Sequence, residues 1–100
     1  MGTIPKSCKI VGKRRRIEWG KRIKLDGASV SGACYYDKCL IKVCTKQDPQ
    51  QMRDTLLHEV IHSLDETLSL DLTEQQVHAL AGGLYGLFKD NPPLTRWLLQ

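Results

Sequence analysis

Long apolar runs and a leader-like beginning are absent from this sequence of 100 residues. No stretch reaches the roughly 18 consecutive apolar residues that indicate a transmembrane helix. Residues 1–10 lack the apolar core of a signal peptide. We therefore expect a soluble, cytoplasmic protein without a membrane partner. The length fits one domain, residues 1–100, because typical domains contain about 100–150 residues.

Cysteine pairs with the spacing of a zinc knuckle are also missing. The four cysteines are Cys8, Cys34, Cys39 and Cys44. No two of them have the separation of about two to four residues that is usual for paired zinc ligands. Without an export signal, we expect them to be reduced. Cysteine is among the most frequently buried residue types, which favours structural thiols over a second metal or redox site.

Negative charge is scarce in the first quarter of the chain. The excess of Lys and Arg that gives the net charge of +4 lies in this segment. The cations concentrated there are Lys13, Arg14, Arg15, Arg16, Lys21, Arg22 and Lys24. Such a cluster could contact nucleic acid. Ile17, Trp19 and Ile23 interrupt it at strand-like spacing, however, which favours the solvated face of a hairpin. Nucleic-acid binding therefore remains a less favoured alternative.

Short strand patterns occupy the first half of the sequence. Residues 8–11 and 15–19 alternate apolar and polar side chains around a turn at residues 12–13, which predicts a β-hairpin. Residues 39–44, with the sequence CLIKVC, predict a further strand because β-branched residues favour strands. We expect one small antiparallel or mixed sheet within residues 7–45.

The sequence pattern changes from strand-like to helical at Asp48, where a long helix is predicted to begin. Asp48 is a preferred N-cap, Pro49 suits the first helical position, and Gln51 follows three residues after the cap. Apolar residues then recur at helical spacing through Leu68. We therefore expect a helix at residues 49–68 with an apolar stripe against the sheet.

A second helix begins with similar capping residues. Thr73 and Gln76 form a capping-box pattern, and apolar residues recur at helical spacing until Asn91 and the prolines that follow it. This predicts a helix at residues 74–90. Residues 94–100 are too apolar for a free end, so we expect this tail to pack on the body. The predicted fold class is α+β, with a small N-terminal sheet packed on both helices.

The pattern His-Glu-x-x-His carries the strongest chemical signal. His58 and His62, four residues apart, lie on one face of the predicted helix and can reach a single metal ion. That face is otherwise polar, as expected for a helix that borders a cleft. Glu59 is placed to act as the general base toward water activated by zinc. The alternative is a chance occurrence of the pattern in a polar helix.

A catalytic zinc site needs a third protein ligand and an open position. Asp65 and Glu66 share the helix with both histidines, so they suit a role in orienting an imidazole N–H. The periodicity of the second helix turns Glu74 toward the first, which favours Glu74 as the third ligand. His78, one turn further on, is the alternative ligand or, like Tyr85, a donor to the oxyanion of the reaction.

Three segments of the chain resemble a known group of peptidases. They are TLLHEVIH at residues 55–62, LTEQQV at residues 72–77 and LYGLFKDNP at residues 84–92. Together they resemble the short HExxH proteins of phages and prophages, which are grouped with minimal gluzincin metallopeptidases and are distantly similar to the ImmA/IrrE metallopeptidases. The resemblance covers about residues 40–93. It implies a zinc-dependent hydrolase of peptide bonds in a bacterial or phage-infected cell.

The resemblance also implies roles for individual residues. In gluzincins the third zinc ligand is a glutamate on a later helix, and Glu74 occupies the corresponding position, with one zinc ion per chain. A strand before the active-site helix borders the cleft and pairs with extended peptide, and residues 39–44 correspond to it. A terminal segment blocks the cleft in some members, and residues 94–100 correspond to it. His78 departs from the acidic residue expected in many relatives.

The sequence therefore predicts a zinc metallopeptidase that acts on a peptide or protein substrate. Glu59 is the predicted catalytic residue, and His58, His62 and Glu74 are the predicted ligands of Zn²⁺. The alternative is a zinc-binding protein without catalysis that acts through a partner or through nucleic acid. The sequence carries no signal for an oligomeric state.

Overall fold

The fold combines a small sheet with three helices in the computed structural model, which describes residues 3–100. The strands are β1 (Ser7–Ile10), β2 (Lys13–Gly20), β3 (Ile23–Leu25), β4 (Ala28–Val30), β5 (Gly32–Tyr35) and β6 (Leu40–Cys44). The helices are α1 (Pro49–Leu68), α2 (Glu74–Asp90) and α3 (Pro92–Leu98). The predicted α+β class is confirmed. Within residues 3–100, no helix combines the length and the apolar character that crossing a bilayer requires.

The predicted hairpin forms from β1 and β2, which pair antiparallel. Its turn consists of Val11 and Gly12, with φ of 51° and 79°, whereas the sequence pattern indicated Gly12 and Lys13. Positive φ at both turn residues matches the twist of the flanking strands, and glycine adopts it without strain. Lys13 therefore already belongs to β2.

The main sheet has the strand order β1-β2-β6-β5. It is mixed, because β2 and β6 run parallel whereas β5 and β6 run antiparallel. The expectation that residues 39–44 form an edge strand beside the cleft is therefore wrong, since β6 is hydrogen-bonded on both sides. Its run of apolar residues explains the central position, because a central strand is covered on both faces. The edge strand on this side is β5.

One face of the sheet carries α1. Asp48 caps this helix by accepting a hydrogen bond from the backbone N–H of Gln51 at 2.9 Å. The main core lies between helix and sheet, and Ile41 and Val43 at its centre are fully buried. Its other members are Ile10 and Ile17 from the sheet, with Leu56, Val60 and Leu64 of α1 packed against them.

A separate two-stranded sheet, formed by β3 and β4, lies beside the main sheet and contacts it through β3. Ile23 of β3 is buried, and β3 contacts both β5 and β6. Ala33 and Leu40 are buried as well, and strand alternation places them on the face away from α1. Strands β5 and β6 are therefore packed against β3 on the face away from α1.

A smaller apolar cluster joins α2 to α1. Thr73 and Gln76 form the predicted capping box, since the side chain of each accepts a hydrogen bond from the backbone N–H of the other. Val77 and Ala81 are buried against Ile61 of α1. These contacts decide which side of α2 faces α1.

The C-terminal tail forms most of α3 and is largely exposed. Trp97 is 67% exposed, so the expectation that residues 94–100 pack on the body is wrong. The Thr95 hydroxyl lies within hydrogen-bond distance of two backbone carbonyls around the junction of α2 and α3, those of Phe88 at 3.0 Å and Asn91 at 3.1 Å, which share its single proton. These local bonds hold the tail as a short helix that contacts α2, with its apolar side chains in solvent.

The basic N-terminal segment is divided between the two faces of β2. Arg14 and Arg16 are exposed, as predicted for a solvated hairpin face. Arg15 is only 4% exposed, because alternation along the strand turns every second residue toward α1. There its guanidinium donates to the Thr67 hydroxyl at 2.9 Å. Its Nε has no hydrogen-bond partner within residues 3–100.

The four cysteines are half-buried rather than fully buried, and their thiols are free. Cys8 and Cys34 pack against the main core. The Cys34 sulfur lies 3.1 Å from the hydroxyl oxygen of Ser63. Burial is the main cause that raises the pKa of both Cys8 and Cys34, which keeps these thiols protonated and unreactive near neutral pH.

Candidate metal centre

Two histidines and a glutamate meet between α1 and α2. His58 and His62 lie on the same face of α1, with ring centroids 4.9 Å apart. The Glu74 carboxylate contacts both, with Oε1 2.7 Å from His58 Nε2 and Oε2 3.0 Å from His62 Nε2. One ligand atom from each of the three residues lies within 4.8 Å of the other two. The structure thus brings together the three residues that the sequence predicts as ligands.

Local sequence explains why these side chains reach the same place. The four-residue spacing puts both imidazoles on one face of α1. The Thr73 cap makes Glu74 the first residue of α2. Burial of Val77 against α1 then turns that first helical turn toward the histidines. The Glu74 side chain is 70% exposed, so the group lies at the solvent-accessible mouth of the α1–α2 contact.

The donor set fits a zinc ion. Two imidazole nitrogens and one carboxylate oxygen form a ligand combination found in catalytic zinc sites. Ligand atoms this close together can surround one ion after small side-chain rotations. Three protein ligands leave one coordination position open, which distinguishes catalytic zinc sites from structural ones.

Glu59 is a buried carboxyl group beside the ligands, at the contact of α1 with β5. Gly32 makes room for it, since a Cβ at that position would lie 3.1 Å from Glu59 Oε2 and 2.7 Å from Thr55 Cγ2. Burial and, to a lesser degree, the charge of Glu74 raise the pKa of Glu59 to about 7. A cation held between the ligands opposes this shift, because it favours the ionised carboxylate.

These residues border an open cleft of about 520 Å³ between α1, the start of α2 and β5. The sheet side is lined by β5 and its flanking residues, among them Ser31, Cys34 and Tyr36. Leu25 and Val30 of the β3–β4 hairpin add an apolar wall. No residue of α3 borders the cleft, so the tail does not block it in this conformation.

His78 lies at the rim of the same cleft, with its ring centroid 6.2 Å from that of His58. Because the Glu74 carboxylate contacts both histidines, the geometry favours Glu74 over His78 as the third ligand. Tyr85 borders a different cavity, together with Lys89, so the prediction that it faces the oxyanion is wrong. The reason is distance, since Tyr85 follows Glu74 by about three turns, or roughly 16 Å along the helix.

Asp65 and Glu66 do not orient the imidazoles. Within residues 3–100, neither side chain forms a hydrogen bond with the two histidines. Asp65 Oδ1 instead accepts from the backbone N–H of Leu72 at 3.1 Å. The backbone carbonyl of Asp65 accepts from Ser69 and Leu70 as well. The end of α1 leaves backbone groups without helical partners, and Asp65 serves the link to α2.

Sequence reasoning missed several residues of this cleft, among them Gly32, Tyr36 and Asp54. A signal existed for Gly32, because glycine within a strand often marks the close approach of another element. Asp54 precedes His58 by one helical turn, so the periodicity that defines the histidine face also includes it. Tyr36 carried no such signal, since only the path of the chain after β5 brings it to the cleft.

Comparison with known proteins does not assign the site. No family model, no curated protein and no solved structure matches this chain. The functional argument therefore rests on the geometry and chemistry of the chain's own residues.

Proposed function

We propose that this protein is a zinc-dependent peptidase with one zinc site formed by His58, His62 and Glu74. The observation that carries the proposal is the convergence of these three ligand atoms within 4.8 Å, in a cleft that also contains Glu59. A structural zinc site requires neither the open position nor a neighbouring carboxyl group. The cleft is also open to solvent.

The chain's own residues have distinct roles in the proposed reaction. A zinc ion supplies Lewis-acid polarisation of a carbonyl and lowers the pKa of water. Glu59 accepts a proton from the attacking water and returns it to the leaving amine. Burial against Gly32 holds the Glu59 carboxyl group at the cleft wall, so its position does not depend on a mobile loop. His78, at the cleft rim, is a donor toward the developing oxyanion.

Substrate pairs with the free edge of β5 in this proposal. Within residues 3–100, β5 pairs with β6 on one side and its other side is an edge of the sheet, and residues of β5 line the cleft. An extended peptide can add a strand to such an edge, with main-chain hydrogen bonds that do not depend on its sequence. In this proposal β5, and not the strand at residues 39–44, pairs with extended peptide substrate.

The first test measures metal content by elemental mass spectrometry on the purified protein. We expect about one zinc per chain, as a single three-ligand site holds one ion. The variants His58→Ala and Glu74→Ala lose the metal, whereas Glu59→Gln and His78→Ala retain it. Circular dichroism of each variant establishes that it is folded. A folded wild-type protein without stoichiometric metal overturns the proposed site.

The second test measures hydrolysis of a peptide library by mass spectrometry. We expect cleavage by the zinc-loaded protein, and loss of cleavage in Glu59→Gln even though that variant keeps its zinc. Equal cleavage by Glu59→Gln and wild type rules out Glu59 as the base. A zinc-loaded wild type that cleaves no peptide favours the alternative, a zinc-binding protein without catalysis.

One observation favours binding to a polyanion as a second candidate function. Lys9 and Arg14 are partners in the β1–β2 register, and both are exposed together with Arg16 on the outer face of the hairpin. Binding of labelled duplex DNA is measured by fluorescence anisotropy at several salt concentrations. Replacement of all three by Gln reduces the salt slope by about three if each contacts a phosphate. No binding at low salt removes this candidate.

A further inference from the structure

The hairpin of β3 and β4 has one apolar face and one polar face. The apolar pairs of its register are Ile23 with Val30 and Leu25 with Ala28. Residues paired across two strands share a face, and residues two apart along a strand share a face as well. All four therefore lie on one face of the hairpin, whereas the intervening Lys24 lies on the other and is exposed.

The main sheet covers this apolar face at one end only. Ile23 is buried, and β3 contacts β5 and β6. The hydroxyl oxygen of Tyr35 in β5 lies 3.5 Å from the backbone carbonyl oxygen of Lys24, which places this part of β3 beside β5. Leu25 follows directly, is 41% exposed and lines the cleft together with Val30. The apolar face thus continues from the sheet into the wall of the cleft.

A peptide paired with β5 presents alternate side chains to this wall. Gly32 and Cys34 of β5 face α1, since both lie close to side chains of that helix. Ala33 between them points the other way. A strand added to the edge of β5 continues this alternation. Every second side chain of the peptide therefore points toward α1, and the intervening ones point toward the face on which Leu25 and Val30 lie.

The chemistry of the wall favours an apolar group. Single exposed apolar residues are ordinary on a protein surface, but Leu25 borders the cleft that holds the candidate ligands. An aliphatic or aromatic side chain placed against it removes apolar surface of both partners from water. A charged side chain in the same place loses hydration and gains no hydrogen bond from Leu25 or Val30.

We propose that Leu25 and Val30 form a subsite that selects an apolar side chain of the peptide substrate, at a position where that side chain points away from α1. This inference rests on the proposed peptidase function and names the class of peptide that the same cleft takes. It also requires the pairing of substrate with β5, because that pairing determines which side chains meet the hairpin.

The test measures cleavage of peptide libraries by zinc-loaded wild type and Leu25→Glu. In each library, one position near the cleaved bond is varied among Leu, Phe, Ser, Lys and Glu. We expect wild type to prefer Leu or Phe over Ser by about tenfold in kcat/KM at one position, as for small changes of apolar contact in an apolar site. Leu25→Glu should lose this preference and favour Lys at the same position by about threefold, as for an exposed ion pair. The positions on either side should respond equally in both proteins.

Lys24→Gln is the matched control, because it changes the net charge by the same amount from the opposite face of the same hairpin. It should keep the wild-type profile. Leu25→Ala is the milder variant and should lower the apolar preference without a gain for Lys. Fluorescence anisotropy measures binding of the same peptides to zinc-loaded Glu59→Gln, with and without Leu25→Glu, and should show the same selection without cleavage. Thermal unfolding checks that each variant is folded.

Two results overturn the subsite and leave the proposed function intact. They are cleavage by wild type without an apolar preference at any position, and an apolar preference that is unchanged in Leu25→Glu. A zinc-loaded wild type that cleaves none of the peptides overturns the proposed function, and the selection of substrate falls with it.

Discussion

The two sides of α1 differ in how they are packed. Toward the sheet, the helix lies on the fully buried side chains of Ile41 and Val43. Toward α2, only Val77 and Ala81 of the partner helix are buried. Most of the remaining α2 side chains are exposed. The larger part of the apolar core thus lies on the sheet side of α1, whereas the α2 side is a narrow contact.

This difference means that the proposed ligands belong to helices of unequal stability. His58 and His62 belong to a helix fixed on the sheet, whereas Glu74 belongs to a helix held by a small cluster. Segments with few buried apolar contacts open locally at lower free-energy cost than the core. In the proposed site, binding of zinc across the two helices would therefore add stability mainly to α2, because metal binding and ordering of the ligands are coupled.

The largest loss of stability is expected from a substitution in the core between α1 and the sheet. Ile41→Ala leaves a cavity in the fully buried core, so it should lower the free energy of unfolding by about 2–5 kcal/mol. That is a large share of the roughly 5–15 kcal/mol typical of a domain. Urea denaturation measures the change, with Leu70→Ala as the control, since Leu70 is 50% exposed. Equal losses in the two variants would contradict this view of the core.

A substitution at the contact between α1 and α2 should cost less stability but should also affect zinc binding. Val77→Ala removes two buried methyl groups, so it should lower the free energy of unfolding by roughly 2 kcal/mol. It should also weaken zinc binding, because Glu74 lies on the same helix. Competition with a chelator measures the affinity. Leu80→Ala is the control, as Leu80 is 43% exposed on this helix. Unchanged zinc affinity in Val77→Ala would show that α2 is held independently of this contact.

The contact between β5 and α1 is tested by a pair of glycine substitutions. Gly32→Ala places a Cβ 2.7 Å from Thr55 Cγ2, so it should cost about 1–3 kcal/mol of stability as an overpacked site. Gly83→Ala is the matched control, because nothing lies within 4 Å of its Cβ position. It should stabilise α2 by up to about 1 kcal/mol. Thermal unfolding measures both, and a stabilising Gly32→Ala would contradict the close approach.

The helices could be predicted from the sequence because their signals are local. Asp48 and the pair Thr73 and Gln76 act within one turn, and the observed bounds, Pro49–Leu68 and Glu74–Asp90, agree with the predicted ranges. The convergence of the three ligands followed from helical periodicity on two adjacent helices. Within such short distances, sequence spacing determines geometry.

The sheet order and the tail could not be predicted, because both depend on contacts between distant segments. The sequence of β6 indicates a strand, but its parallel pairing with β2 arises only in the folded chain. The alternation that turns Arg15 inward depends equally on which face of β2 meets α1. The apolar character of Trp97 predicted packing on the body, yet its side chain is 67% exposed on α3. Apolar residues require burial only where a surface is within reach.

The smallest expected effect concerns Tyr36, which stands on the sheet side of the cleft. Burial above all, with nearby negative groups such as Cys34 and Glu66 contributing less, raises the pKa of Tyr36 from 10.0 to about 12. The folded protein therefore binds this proton more tightly than the unfolded chain. The resulting stabilisation is present below pH 10 and is lost as the pH rises toward 12.

Tyr36→Phe should remove a tyrosinate transition near pH 12 from the near-ultraviolet absorbance titration, and its stability should fall less steeply above pH 10 than that of wild type. The effect is small, because Tyr36 is 39% exposed and solvent screens its charge. Tyr35→Phe is the neighbouring control and should keep the transition near pH 12. Identical pH profiles for Tyr36→Phe and wild type would mean that the sheet side of the cleft is as open to solvent as the α2 side.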